Sequence, residues 1–212
     1  MIVEKAELTK KHLKDAERAA YKLLDKLPDT IIYHDKSHTQ KFVYPAAIKL
    51  AKEEGFSLEE QILVGIAALF HDTGFLERYD NNEEIGAKYA EEYMKNTKYT
   101  YTKNHLKIVK KAIMSTARVS NPKNKFECVL MDADTCLLGS KDYLTSRRTL
   151  KEELIKNSKA KLHKIALSDE QWNRHSLEFM EKHKWFTESA RRMYDETKQK
   201  NIKGYKMKYN LN

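Results

Sequence analysis

Gln61-Ile62-Leu63-Val64-Gly65-Ile66-Ala67-Ala68-Leu69-Phe70-His71-Asp72-Thr73-Gly74 is the stretch on which the reading of the fold turns. From Ile62 to Phe70 it carries no polar side chain, so it has no solvent face at either helical or strand period. A segment that is apolar all round belongs at the centre of a domain. It is also far short of the ~20 apolar residues that cross a bilayer. The chemistry then changes at once: two ionisable residues, His71 and Asp72, close the segment, and Gly74 stops it. Burying such groups is costly unless they are paired or bind a metal.

Working outward, helical periodicity is visible on both sides. Leu8, Leu13, Ala16, Ala19, Ala20, Leu23 and Leu24 share one face near the start, and Ile108, Val109, Ala112 and Ile113 share another. Gly (6) and Pro (3) are scarce, and no alternating run suggests a strand. Breaks fall at Pro28-Asp29, Gly55, Gly74, Asn81-Asn82, Asn121-Pro122 and Gly139. The spacing predicts helices over 3–26, 37–54, 58–71, 83–95, 103–116, 124–138, 141–164, 169–183 and 187–203, with a polar tail that frays. The fold class is therefore all-α, and the 212 residues suit a single domain.

Composition narrows the function classes. At 41% hydrophobic and 33% charged, the chain can bury one core and reads as no membrane protein. The opening Met1-Ile2-Val3-Glu4-Lys5-Ala6-Glu7 lacks a signal-peptide core, so a cytoplasmic location is the expectation. Cys128 and Cys136 sit in apolar sequence and read as buried side chains rather than a disulfide framework. Net charge is +9, but the lysines are scattered and Arg is rare. That pattern argues against a dedicated nucleic-acid surface and suits small anionic ligands. The aromatic residues at helical spacing belong to the core or to an interface, such as that of a homodimer.

Two other segments share the character of His71-Asp72. Upstream, Tyr33-His34-Asp35-Lys36-Ser37-His38-Thr39 places two His four residues apart, on one face if the helix has already begun. Downstream, Val129-Leu130-Met131-Asp132-Ala133-Asp134-Thr135-Cys136-Leu137-Leu138-Gly139 embeds two carboxylates in apolar sequence. Asp is a poor core residue, so this pair calls for a cation or strong donors. Imidazole with carboxylate is the ligand chemistry of divalent Zn, Mn, Fe, Co or Ni, with water completing the shell.

The order H…HD…D, carried by Tyr33-His34-x-x-x-His38-Thr39, Phe70-His71-Asp72 and Asp132-Ala133-Asp134-x-x-Leu137-Leu138-Gly139, resembles the HD superfamily of metal-dependent phosphohydrolases. The likeness covers residues of about 30–140 as an HD core, with additional C-terminal helices over about 141–205. Trp172 and Phe179-Met180-Glu181-Lys182-His183-Lys184-Trp185-Phe186-Thr187 add a resemblance to an uncharacterised bacterial branch. The resemblance implies a divalent metal held by His38, His71, Asp72 and Asp134. Asp134 is the expected last ligand, with Asp132 the alternative or a support behind the ligands. Asp72 also takes a catalytic part, and His34 matches a general acid of cyclic-nucleotide phosphodiesterases; a packing role is its alternative.

Departures matter too. Members with two metals add two His, yet here Asn82 and Thr116 occupy those positions. One tightly held ion is the expectation, with Glu83 or Glu84 reaching a weaker Mg²⁺ through water. Lys36, Arg78, Arg118, Arg147 and Arg148 are the candidates for substrate phosphate. His12, His105, His163 and His175 read as solvated, and His183 as a structural residue hydrogen-bonded to backbone. The function implied is hydrolysis of a nucleotide-type phosphoester, phosphodiesterase-like. Alternatives are a nucleotidase, an alarmone pyrophosphohydrolase, an inactive nucleotide-binding or regulatory module, or a basic RNA-binding protein.

Overall fold

A computed structural model describes residues 7–117 and 121–211. They form an all-α structure, with no strand among the described residues. α1 (Lys10–Leu24) precedes a short α2 (Lys36–His38), a π-helical turn (Thr39–Val43) and α3 (Tyr44–Glu53). α4 (Leu58–Phe70), α5 (Asn82–Asn96), α6 (Lys103–Ser115) and α7 (Lys125–Asp134) follow, and then α8 (Tyr143–Lys156), α9 (His163–Ala166), α10 (Asp169–Lys182) and α11 (Glu188–Tyr209). Two 3₁₀ turns, Thr73–Leu76 and Cys136–Gly139, close α4 and α7. None of the helices is long and apolar enough to cross a membrane, among the described residues.

α4 is the central helix, as its composition requires. Ser57 and Glu60 cap its start reciprocally, and every residue from Ile62 to Phe70 is buried. α1, α3, α5, α6 and α7 pack around it. Gly65 permits a close approach of α1, since a Cβ there would stand 2.8 Å from Leu13 Cδ1. At the C-terminal end of α4 the packing is tighter still. A Cβ on Gly86 would lie 2.7 Å from the Phe70 carbonyl and 2.8 Å from that of His71, and one on Gly74 would overlap the Asn82 carbonyl. These two glycines let α5 lie directly against the His71-Asp72 segment.

One buried cluster runs from Leu8 to Tyr205 and includes Leu177, Met180 and Trp185 of the C-terminal helices. A smaller one gathers Leu154, Ala160, Ala166 and Trp172. The helix expected over 141–164 is in fact two. It ends at Lys156 because the Asn157 side chain turns back, donating to the carbonyls of Glu153 and Thr30. The helix expected over 124–138 stops at Asp134, where the Thr135 hydroxyl bonds to the Met131 carbonyl and a 3₁₀ turn takes over. The first helix begins at Lys10; its expected start at residue 3 lies outside the described residues.

Candidate metal centre

Each expected ligand is delivered by a helix end. The Asp35 side chain accepts from the His38 amide at 2.9 Å and starts α2, which fixes His38 at the first turn. His71 and Asp72 follow the last residue of α4. Asp134 is the last residue of α7. His38 Nε2 stands 3.8 Å from Asp72 Oδ2 and 3.5 Å from Asp134 Oδ1. His71 Nε2 stands 3.0 Å and 3.4 Å from the same two oxygens. Donors sharing one ion at about 2.0–2.2 Å lie within roughly 4.4 Å of each other, so all four distances fit one ion. His38, His71 and Asp72 each offer an atom within 4.8 Å of the other two, a group that does not include Asp134, the most exposed of the four.

The hydrogen bonding explains what this arrangement lacks. His71 Nδ1–H donates to the Ala68 carbonyl at 2.8 Å, which leaves a lone pair on Nε2. That lone pair faces Asp72 Oδ2 at 3.0 Å, and neither atom has a hydrogen-bond partner. His38 Nε2 is likewise buried without one. Two acceptors pressed together in a buried site repel unless a proton or a metal ion lies between them; in the metal-free protein the carboxylates of Asp72 and Asp134 override burial and raise His71 well above its ordinary value, so a proton takes that place. The donor set therefore fits a divalent metal. Burial works against ionisation of Asp134, but the His38 and His71 imidazoles beside it prevail and hold its carboxyl well below the usual range.

Behind this cluster lies a network that sequence reasoning missed. Glu153 of α8 is fully buried. Its Oε1 accepts from His34 Nδ1 at 2.6 Å and from the Tyr79 hydroxyl at 2.7 Å. Its Oε2 accepts from the amides of Tyr33 and His34 at 2.7 and 3.0 Å. His34 precedes α2, stacks on Phe75 with ring centroids 4.5 Å apart, and meets His38 edge-on at 5.8 Å. Burial disfavours a charged His34, but Glu153 overrides it and raises the imidazole to about 9. Burial equally opposes a charged Glu153, and His34 overrides it, lowering the carboxyl to about 2. The pair is thus ionised at neutral pH, with His34 Nε2–H left as a donor. The faint signal was spacing: Leu150, Glu153, Leu154 and Asn157 recur at helical period, which puts Glu153 on the inward face.

Several expectations need correction. Asp132 does not support a ligand imidazole. It accepts from the Phe186 and Thr187 amides at 2.9 and 2.8 Å and from the Thr187 hydroxyl at 2.7 Å, tying α7 to the start of α11. His12 and His105 are buried rather than solvated. Each sits in the first turn of its helix and accepts from the backbone N–H of the capping threonine, Thr9 or Thr102. Lys36 pairs with Asp25 at 2.9 Å and Arg78 bonds to the Asn81 carbonyl and Glu84, so both are already engaged. Arg148 lies near Glu152 at 3.9 Å. Arg147 lies over the Trp172 ring at 4.0 Å and donates to Ser176 at 2.8 Å. Arg118 lies outside the described residues.

Other expectations meet the structure more closely. Glu83 is half-buried near the cluster. Burial, with the charges of Asp72 and Asp134, pushes its carboxyl up. Asn82 is buried against Gly74, and the Thr116 hydroxyl bonds to the Ile113 carbonyl. The His183 ring bonds to the Thr135 hydroxyl at 3.1 Å rather than to backbone. Both cysteines are free. Comparison with family models, curated proteins and solved structures returns no match for the chain.

Proposed function

We propose that this chain is an HD-type, metal-dependent phosphohydrolase that cleaves a nucleotide-type phosphoester, with phosphodiesterase character. The observation that carries it is the convergence of two imidazoles and two carboxylates, His38, His71, Asp72 and Asp134, with buried polar atoms that have no hydrogen-bond partner. His38, His71, Asp72 and Asp134 would hold the ion. A divalent metal bound there supplies Lewis acidity toward a phosphoryl oxygen.

The remaining steps belong to side chains. Asp72 or Asp134 orients the attacking water or accepts its proton, Asp134 being the more exposed of the two. His34 enters the reaction protonated and donates from Nε2 to the leaving oxygen. Glu153 and Tyr79 hold the imidazole in place, and Phe75 covers its face. A leaving alkoxide such as a ribose oxygen needs that proton, which favours diester over monoester substrates with good leaving groups.

One observation favours a second reading, a nucleotide-binding module without turnover. Asn82 and Thr116 stand where two-metal members carry His, so only one ion can be held by imidazole. Purified protein should contain close to one equivalent of transition metal. Turnover of bis(p-nitrophenyl) phosphate or a cyclic nucleotide that disappears in Asp72→Ala supports the enzyme. Stoichiometric metal without turnover across a nucleotide phosphoester panel supports the module and sinks the enzyme.

A further inference from the structure

Tyr33 touches both imidazoles on which the proposed chemistry depends. Its ring packs against His38 with centroids 4.9 Å apart and meets His34 edge-on at 4.7 Å. Its backbone N–H donates to Glu153 Oε2 at 2.7 Å, the same oxygen that receives the His34 amide. Ring and backbone are thus fixed. The hydroxyl is not: it forms no hydrogen bond among the described residues, and the side chain is half-buried, so the group is not sealed in the core. The tyrosines nearby differ. The Tyr79 hydroxyl is spent on Glu153, and that of Tyr143 is enclosed.

The charges around the Tyr33 hydroxyl say where it lies. Burial raises its pKa most; among charged side chains Asp134 raises it next, Arg147 lowers it, and Asp72 raises it less. Two of these three are expected metal ligands, so the hydroxyl belongs to the metal centre. The third is a cation held in a set position. Arg147 lies over the Trp172 ring at 4.0 Å and donates from Nε to the Ser176 hydroxyl at 2.8 Å. A divalent ion would offset the two carboxylates. The field left at the hydroxyl would then be positive, from Arg147 and the protonated His34. A phenol is a donor at neutral pH, and a donor in a positive field suits an anionic oxygen.

We infer that Tyr33 is a further substrate-contacting residue, whose hydroxyl donates to a phosphoryl oxygen that the ion does not take. A phosphodiester carries two non-bridging oxygens, and a single ion polarises one of them. The other needs its own donor as charge builds in the transition state. Glu153 Oε2 holds the amides of Tyr33 and His34 together, so this contact and the proton donor are set as one unit. The inference rests on the phosphoester reading of the same site.

Tyr33→Phe keeps the ring against both imidazoles and removes only the hydroxyl. Because that hydroxyl bonds to nothing in the protein, metal content and melting temperature should match wild type. Manganese-loaded protein is titrated with inorganic phosphate by calorimetry. The Kd of the variant should rise about tenfold or more, the worth of one hydrogen bond to a charged group. Where bis(p-nitrophenyl) phosphate is turned over, kcat/KM should fall by a similar factor. Unchanged phosphate affinity, unchanged kcat/KM, or no phosphate binding by loaded wild type overturns the contact. A variant that loses metal or melts lower overturns it as well, since the hydroxyl then serves the fold. Weakened phosphate binding in a protein that turns over no phosphoester supports the contact and sinks the enzyme, so the two readings fail separately.

Discussion

Asp132 and Asp134 lie two residues apart on the same helix, and they do opposite things. Asp132 faces the C-terminal helices, where three donors satisfy its two oxygens. Asp134 faces the Nε2 atoms of His38 and His71 at 3.5 and 3.4 Å, both buried without a hydrogen-bond partner. One is a finished interaction and the other an unfinished one. Residue type does not distinguish a structural carboxylate from a functional one. The count of donors around each oxygen does.

That contrast can be broken in several ways. The largest effect is expected from Asp134→Ala, which removes a metal-facing group. Metal affinity should fall by more than the roughly 10–100-fold that outer partners cost, with little change in the stability of the metal-free protein. Asp132→Ala should do the reverse, leaving metal stoichiometry intact while costing about 3 kcal/mol in urea unfolding, because buried donors lose their acceptor. If Asp132→Ala emptied the site and Asp134→Ala did not, the assignment would be inverted.

Glu153→Gln sharpens the comparison from the His34 side. kcat should drop by roughly 10²-fold for a substrate with an alkoxide leaving group, and far less for a p-nitrophenyl ester, which needs no proton. An equal loss on both substrates would make Glu153 a purely structural residue. Gly86→Ala forces a methyl against the carbonyls of Phe70 and His71. We expect about 1–3 kcal/mol of destabilisation together with weakened metal binding, checked by thermal melts with and without metal.

The smallest effect is the pH profile of the metal-free protein. His34 is raised from 6.5 to about 9, so its contribution is complete below 6.5 and fades as pH rises through 9. Glu153 is lowered from 4.5 to about 2, so its contribution is complete above 4.5 and fades as pH falls through 2. The pair is therefore worth most between pH 4.5 and 6.5, and Glu153→Gln should flatten that dependence. A wild-type profile identical to the variant's would remove the ionised pair from the account.

Much of this was legible in the sequence because it was local. α4 announces itself by having no polar face, and the proposed ligands are conspicuous as ionisable groups in apolar surroundings. What was hidden was long-range or disguised. Glu153 sits amid Lys151, Glu152 and Lys156, and its partner His34 is 119 residues away. His12 and His105 resemble solvated residues until the Thr-x-x-His spacing is read as a capping box with imidazole in place of carboxylate. The break after Lys156 depends on an Asn157 bond to Thr30 that no local pattern encodes.

The π-helical turn at Thr39–Val43 has its own bearing on how this chain tolerates change in length. It holds an extra residue in one winding, between the turn that presents His38 and the helix that presents Ala46, Ala47 and Leu50 to the core. Each residue of an α-helix advances its azimuth by about 100°. Because the wide turn absorbs that residue, deleting one there would restore regular winding and keep both His38 and the core face of α3 in their present phase. A one-codon deletion at this turn should thus be tolerated, whereas one inside α3 would turn its two ends about 100° out of phase.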